Sequence, residues 1–432
     1  MMSPVDTAGR FFPRLMSSDR PAKKAKAAPA GAPPPSSAWS VVLVPNADDA
    51  RQHFVELRKN GEPNLRMPEP VWVDSPTMHP GSAGTIEHET WLQESVKYRP
   101  SDFVITTYPK CGTTLTEQVT LLLLNGGRAE DLDPLSKNSA NLHHQAGKVW
   151  PEACIMPSSA SASSNDWRKE ANLAYPPGRP PKEEMIGLPL ERFEALPAPR
   201  VIKTHSSVAK VLGRKADGTP GAARYLVCTR NPLDACVSCF YHGWNPQKSG
   251  WPFEAFARAW LEGHGNGGFG CWFDFHVGWK AVYDAAQRRA SSAGGEGNAA
   301  AATDDDAMNA TTAPHVLWLS FEEMVHFPAR EVGRVAAFLG LPHDAELIQR
   351  VVAGSAFDSM KSAASTAEQG SGRVNTSAHL RKGGVGDWRN HFSAELAAEF
   401  RLAFERRMRG TGLRFDLGEG EFLEATSSVG GG

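Results

Sequence analysis

The amino-acid sequence predicts an α/β fold, a central parallel sheet flanked by helices. Short apolar runs with β-branched residues recur at 103–107, 200–204, 224–229 and 316–319. Each gives way to a turn and then to a helix-like stretch, and this alternation is the signature of a parallel sheet. The third observation is the break after the first run. Pro109 and Gly112 interrupt it, Lys110, Thr113 and Thr114 sit in the break, and 115–124 continues as an apolar helix-like stretch.

Taken in order, residues 1–38 are low in complexity. The stretch 21–37 is rich in Ala, Pro, Lys and Ser and cannot bury a core. Six basic residues (Arg10, Arg14, Arg20, Lys23, Lys24, Lys26) face Asp6 and Asp19. The segment reads as a disordered tail, with an organelle-targeting peptide as the alternative. Residues 39–88 form an N-terminal extension. Helical apolar spacing over 89–98 precedes a turn at 99–102 and the first strand. The second run follows Pro197 and Pro199. The third ends at Asn231-Pro232, a break and helix start. Two stretches read as surface insertions: 158–179, rich in Ser, Pro and charge, and 290–314, rich in Ala, Gly and Asp. Residues 416–432 are expected as a flexible tail.

Composition narrows the function. The 432 residues carry a formal net charge of −2, which gives no bulk electrostatic case for nucleic acid. No apolar run approaches the length of a membrane span. Six cysteines are sparse for this length and lack disulfide-framework spacing, which favours a reducing, cytoplasmic setting. Cys236 and Cys239 match C-x-x-C, without a second pair or a His pair to make a zinc site. They read as core cysteines, with redox chemistry as the alternative. The residues show no metal-ligand cluster.

The first break is built like an anion cradle. Backbone N–H groups at a tight turn and a helix start point at an anion, and Lys110 adds a full charge. It is not a Walker A loop, because the Lys precedes the Gly. On these residues alone a plain strand–turn–helix connection with a solvated Lys fits as well. His205 falls just past the second run, at the ligand-binding edge of a parallel sheet, where imidazole suits a general base. A structural His fits there too. Arg230 ends the third run and Ser238 follows eight residues later, a sensible pair for a phosphate monoester. Arg381, Lys382, Gly383, Gly384 and Gly386 make a basic glycine loop able to close on a phosphate.

Together these segments resemble the cytosolic-type sulfotransferases, enzymes that use 3′-phosphoadenosine 5′-phosphosulfate (PAPS). The resemblance spans about 89–410 in five blocks. Tyr108-Pro109-Lys110-Cys111-Gly112-Thr113-Thr114 resembles the family's 5′-phosphosulfate loop. Lys203-Thr204-His205 is similar to the element that carries the family's catalytic base. Arg230 to Ser238 is similar to its 3′-phosphate element. Arg381-Lys382-Gly383, continuing through Gly386-Asp387-Trp388-Arg389-Asn390, matches its signature almost letter for letter. Phe321, in Phe321-Glu322-Glu323-Met324, stands where the family has an adenine-contacting Tyr. Ser355, Phe357 and Met360 match a further adenine-side element.

The resemblance implies a P-loop-like nucleotide-binding domain over 89–415. It implies PAPS as co-substrate, adenosine 3′,5′-bisphosphate as product, and no metal. His205, Lys110 and Lys203 would be catalytic. Lys110, Cys111, Gly112, Thr113, Thr114, Leu115, Arg230, Ser238, Phe321, Ser355, Phe357, Met360, Arg381, Lys382 and Gly383 would bind the nucleotide. The acceptor would be a small molecule with a hydroxyl or amine. Leu115 stands where the family often has a Trp, and Phe321 lacks the family's hydroxyl, so adenine packing is expected to be weakened or rebuilt. Of the family's dimer motif, 389–398 keeps only the first charge, which puts the usual homodimer in doubt. Trp150, Trp244, Trp251 and Trp272 are candidates for a substrate pocket, with a core role as the alternative. A silent nucleotide-binding protein and a nucleotide-dependent kinase are the other readings. The second lacks both Gly-Lys-Ser/Thr and a Mg²⁺-carboxylate motif.

Overall fold

In the computed structural model the four predicted runs are strands of one parallel sheet. The structure describes residues 39–45, 47, 52–66, 71–72, 86–128, 190–194, 196, 198–215, 219–242, 250–264, 269–293, 315–371 and 380–426. In the extension, β1 (Trp39–Pro45), β2 (Gln52–Lys59), β3 (Glu62–Arg66) and β4 (Val71–Trp72) form an antiparallel sheet. The sequence reading did not anticipate it. Helix α1 (Ile86–Ser95) leads to β5 (Phe103–Thr107), and α2 (Thr113–Leu124) follows. A short α3 (Leu190–Glu194) precedes β6 (Val201–Thr204). Then come β7 (Arg224–Thr229), α4 (Pro232–Phe240), α5 (Phe253–Leu261) and α6 (Trp272–Ala293). Strand β8 (His315–Ser320) is followed by α7 (Phe321–His326), α8 (Pro328–Leu339), α9 (Ala345–Ser355) and α10 (Phe357–Ser371). A 3₁₀ turn (Asp387–Asn390), α11 (Ala394–Arg407), β9 (Arg414–Gly418) and β10 (Glu421–Glu424) complete the described chain.

The main sheet has the order β6-β5-β7-β8, with every neighbour parallel. Every residue of β5 is buried, as a central parallel strand covered on both faces requires. Alternate side chains feed two cores. Val104, Tyr225 and Val227 join Phe256, Trp260, Trp272 and Trp279 on one face. Ile105, Leu226 and Cys228 join Leu122, Val335 and Val351 on the other. Helix starts follow side-chain caps. Asn231 Oδ1 accepts from Asp234 N, and Asp344 Oδ1 from Leu347 N.

Three expectations change. Residues 416–424 are no flexible tail, because β9 and β10 form an antiparallel hairpin over 414–424, and 427–432 lie outside the described residues. Phe415, Leu417 and Leu423 bury themselves in the first core, and Gly418, Glu419 and Gly420 all take positive φ in the turn. Residues 290–293 of the expected insertion belong to α6. The strand at 201–204 is followed by turns, not by a helix. Trp251 and Trp272 are buried in the core and Cys236 and Cys239 are buried free thiols. The expectations for 1–38, for 158–179, and for Trp150 and Trp244 lie outside the described residues.

One buried ion pair sets the start of β5 against β6. Arg200 donates through Nε to Asp102 Oδ1 at 2.9 Å and through Nη2 to Oδ2 at 2.5 Å. Both side chains are almost wholly buried. The remaining capacity is satisfied: Asp102 accepts Arg99 N at 2.7 Å, and Arg200 reaches the carbonyls of Lys97 and Phe193. Such a pair adds little net stability over an apolar one, but removing one partner strands a buried charge. Asp102→Ala is therefore expected to cost about 3–5 kcal/mol in urea unfolding. Arg200→Met in the Asp102→Ala background should recover part of that loss.

Candidate active site

The carboxyl ends of β5, β6, β7 and β8 bring the predicted residues to one edge of the sheet. The turn after β5 needs an unusual backbone. Lys110 has φ +67° and Gly112 φ +100°, and Cys111 N donates to Tyr108 O at 3.1 Å. A Cβ on Gly112 would fall 2.8 Å from Cys228 Sγ and 3.2 Å from the Phe321 ring, so only glycine fits. Helix α2 starts at once, and no side-chain cap closes its N-terminus. Its first amides, with the positive end of the dipole, remain directed at the loop. Thr113 is held by a 2.6 Å hydroxyl contact with Thr107. Cys111 is buried, and burial raises its thiol well above the ordinary range. It contributes main chain to the cradle, not a thiolate.

Lys110 is half-buried in this turn. Burial lowers its ammonium to about 8; Cys239 opposes this, while Arg230, Lys203 and Arg381 push in the same direction. Arg230 also touches this turn directly, through the Lys110 carbonyl. Lys203 is buried on β6, and Arg230 is buried at the end of β7. Burial raises the carboxyl of Glu117, on α2, to about 7 against the pull of Lys203.

His205 follows β6. Its Nδ1 lies 2.8 Å from the Thr107 carbonyl oxygen, an acceptor, so Nδ1 carries the proton. The neutral imidazole then presents its lone pair at Nε2. The edge of Phe269 packs on the ring, with centroids 5.0 Å apart. Trp279 Nε1 donates to Ser206 O at 3.1 Å and holds the next residue.

Arg230 joins the two basic segments. Its guanidinium donates to Lys110 O at 3.2 Å and to Gly384 O at 3.0 Å, and it lies 4.3 Å over the Phe321 ring. In the glycine loop, Arg381 and Lys382 each reach an oxygen of Asp387 at 2.5 Å. Against the burial that would raise it, the hydrogen bonds from Lys382, Arg381 and Asn390 hold the Asp387 carboxyl well below the usual range. Gly383, at φ +67°, lies flat against Phe357, and a Cβ there would fall 2.1 Å from the ring. Phe357 packs with Leu115, Met360 and Leu380 in a small apolar cluster, so the position the family often gives to Trp is here part of an aliphatic wall.

Two predicted residues are less engaged. Ser238 is partly exposed on α4. The Ser355 hydroxyl donates to Val351 O at 2.7 Å in its own helix. The sequence reading passed over Leu380, Asp387, Asp234, Asn231 and Glu322. Asp387 stands inside the quoted signature. Asn231 and Asp234 had a local signal, since Asn-Pro followed by an acid is a helix start.

Arg389, the remaining charge of the dimer motif, donates to Leu417 O, Gly418 O and Glu421 of the hairpin. Among the described residues no group of three or more His, Cys, Asp or Glu is arranged to hold a metal ion. No described helix is long and apolar enough to cross a membrane.

The chain is similar to known proteins. Sulfotransferase 1C2 of Rattus norvegicus is 25% identical over 347 residues, covering 78% of this chain and 92% of the relative. Sulfotransferase 1C2 of Homo sapiens is 25% identical over 339 residues, covering 76% and 90%. Among solved structures, retinol dehydratase in a complex with retinol and PAP superposes with a TM-score of 0.52 at 17% identity, covering 88% of this chain and 99% of that one. That last likeness is one of fold. The family model for the sulfotransferase domain matches residues 100–288 and 306–412, which is more than half of the chain and includes β5 to β8 and α11, ending just before β9. With that match running through the cradle, His205, Arg230 and the glycine loop, the chain belongs to the sulfotransferase domain family.

Proposed function

We propose that this protein transfers the sulfuryl group of PAPS to a hydroxyl or amine of a small-molecule acceptor. The observation that carries the reading is the convergence of Lys110, Lys203, Arg230 and Arg381 at the uncapped start of α2, with His205 beside them. Such a charge set fits a nucleotide with phosphate at both the 3′ and 5′ positions. The PAP named with the solved relatives is a molecule of that kind. PAPS supplies the sulfuryl group, and adenosine 3′,5′-bisphosphate is what departs.

The chain's own residues bind, orient and move a proton. Backbone N–H groups of Gly112, Thr113 and Thr114, with the dipole of α2, hold the 5′ end. Arg230, Arg381 and Lys382 hold the 3′-phosphate, with Ser238 as a further donor. Phe357, Leu115, Met360 and Phe321 take the adenine. Cys111 and Gly383 shape the two loops, and Ser355 ends the helix before Phe357. Lys110 meets the charge that grows on the bridging oxygen as the sulfur–oxygen bond breaks, and Lys203 meets the neighbouring oxygens. His205 takes the acceptor's proton at Nε2 while the Thr107 carbonyl holds Nδ1–H and fixes the ring. Catalysis here is positioning plus electrostatics, as in phosphoryl transfer.

The reading includes a catalytic domain that starts near 89 and runs through the β9–β10 hairpin rather than ending at 415, and a cytoplasmic enzyme, supported by five free thiols among the described residues. With Arg389 engaged by the hairpin, a homodimer would need a contact other than the usual family motif.

His205→Ala is expected to lower turnover by about two to four decades while adenosine 3′,5′-bisphosphate affinity in calorimetry stays unchanged. Near-wild-type turnover with intact binding would show that another group is the base. A second test uses pH. A lysine whose ammonium loses its proton near 8 is charged below that pH and neutral above it. Affinity for the bisphosphate should therefore weaken as pH rises from 7.5 to 9.5, and Lys110→Arg should flatten the slope. A flat wild-type profile would remove Lys110 from the 5′ end.

A further inference from the structure

Asp234 takes no part in the chemistry above, yet its carboxylate is buried and both its oxygens face the basic loop. It lies in the first turn of α4, four residues after Arg230. Oδ2 accepts the backbone N–H of Gly386 at 2.8 Å, and Oδ1 accepts that of Trp388 at 2.8 Å. These donors lie 152 and 154 residues further along the chain. The carboxylate is itself held. Asn231 Nδ2 donates to Oδ2 at 3.0 Å. The Asn231 backbone N–H and Nδ2 also donate to Glu322 Oε1, at 2.8 and 3.0 Å, and Glu322 Oε2 accepts the Ser320 hydroxyl at 2.7 Å. One short run, 230–234, thus contacts the first loop at Lys110, the glycine loop at three backbone positions, and the start of α7.

The glycine loop needs such anchors. Residues 380–386 have no helix or strand ladder, and three of them are glycines, which lose the most backbone freedom on being fixed. Gly383 and Gly386 both hold positive φ. Left to itself, this segment would let Arg381 and Lys382 sample many positions, and a cation that has to be ordered at binding costs affinity. A carboxylate suits the task because it accepts two N–H groups at once and its hydrogen bonds are charge-assisted. An amide in its place would turn an N–H₂ toward one backbone N–H, two donors facing each other.

We propose that Asp234 is the positioning residue of the 3′-phosphate grip: by fixing the main chain at Gly386 and Trp388 it sets Arg381 and Lys382 before a ligand arrives. The inference rests on the bisphosphate reading of the site. The test uses the full chain and Asp234→Asn, each titrated with adenosine 3′,5′-bisphosphate and with adenosine 5′-monophosphate. Loss of one charge-assisted bond and gain of a donor clash should weaken the bisphosphate by about tenfold or more. The monophosphate, which has nothing for the loop to grip, should change by less than about threefold. Adding Arg381→Ala to Asp234→Asn should then cost little more, because both act through one contact.

Equal weakening of both ligands, or no weakening, overturns the inference. Wild-type protein that binds the bisphosphate no better than the monophosphate overturns the 3′-phosphate reading itself, and the inference falls with it. A measurement on wild type alone guards against a variant that does not fold. The amides of Gly386 and Trp388 should exchange slowly in deuterated buffer before any nucleotide is added, and fast exchange at both overturns the inference.

Discussion

Like charges repel, and this site sets four of them at one sheet edge. Lys203, Arg230 and Arg381 all bear on Lys110, whose ammonium is lowered by burial first and by these three cations after it. An arrangement of this kind does not assemble because its members attract. It stands because each cation is tied to rigid main chain. Lys203 is in a buried strand, Arg230 grips two carbonyls, Lys110 occupies a turn that Gly112 alone can complete, and Arg381 belongs to a loop pinned from α4. The folding free energy of the sheet thus holds a field that favours a polyanion. The two core clusters on either face of β5 and β7 belong to the site as much as the lysine does.

That division of labour explains what could be read from the sequence. The strands were legible because buried parallel strands are short apolar runs, and β5 and β7 fall on the residues expected. The candidate site residues were legible because each follows a strand end: Lys110 after β5, His205 after β6 and Arg230 after β7. Their grouping followed from the family resemblance, and the sheet order then brings them to one edge. The engagement of single side chains was less visible. Ser355 sits in the last turn of α9, where a serine hydroxyl readily bonds the carbonyl four residues back, and it does so here.

Long-range partners were out of reach for a different reason. Asp234 reads locally as the third residue of a capped helix, and nothing near it in the chain names Gly386. The antiparallel sheet of 39–72 has a legible β-branched start at 41–44, but its other strands are mixed in character and carry no clear alternation. The hairpin was overlooked despite a good signal. Phe415 and Leu417 alternate with polar residues, and Gly418-Glu419-Gly420 supplies the positive φ values a tight turn needs.

The hairpin also separates two kinds of boundary. The match to the family model stops at residue 412, two residues before β9 begins. Yet the Trp388 indole donates to Leu417 O, Arg389 to the carbonyls of Leu417 and Gly418, and Asn231 to Asp416 O. All three donors border the glycine loop and the start of α4, which the proposed function assigns to a phosphate. A recombinant form trimmed to the edge of similarity would keep every residue the family is recognised by. It would also leave the Trp388 indole and the Arg389 guanidinium at that border without these acceptors, and would remove one of the three acceptors of the Asn231 amide. In this chain the smallest unit that can be handled on its own extends through β10, beyond the end of the family-model match.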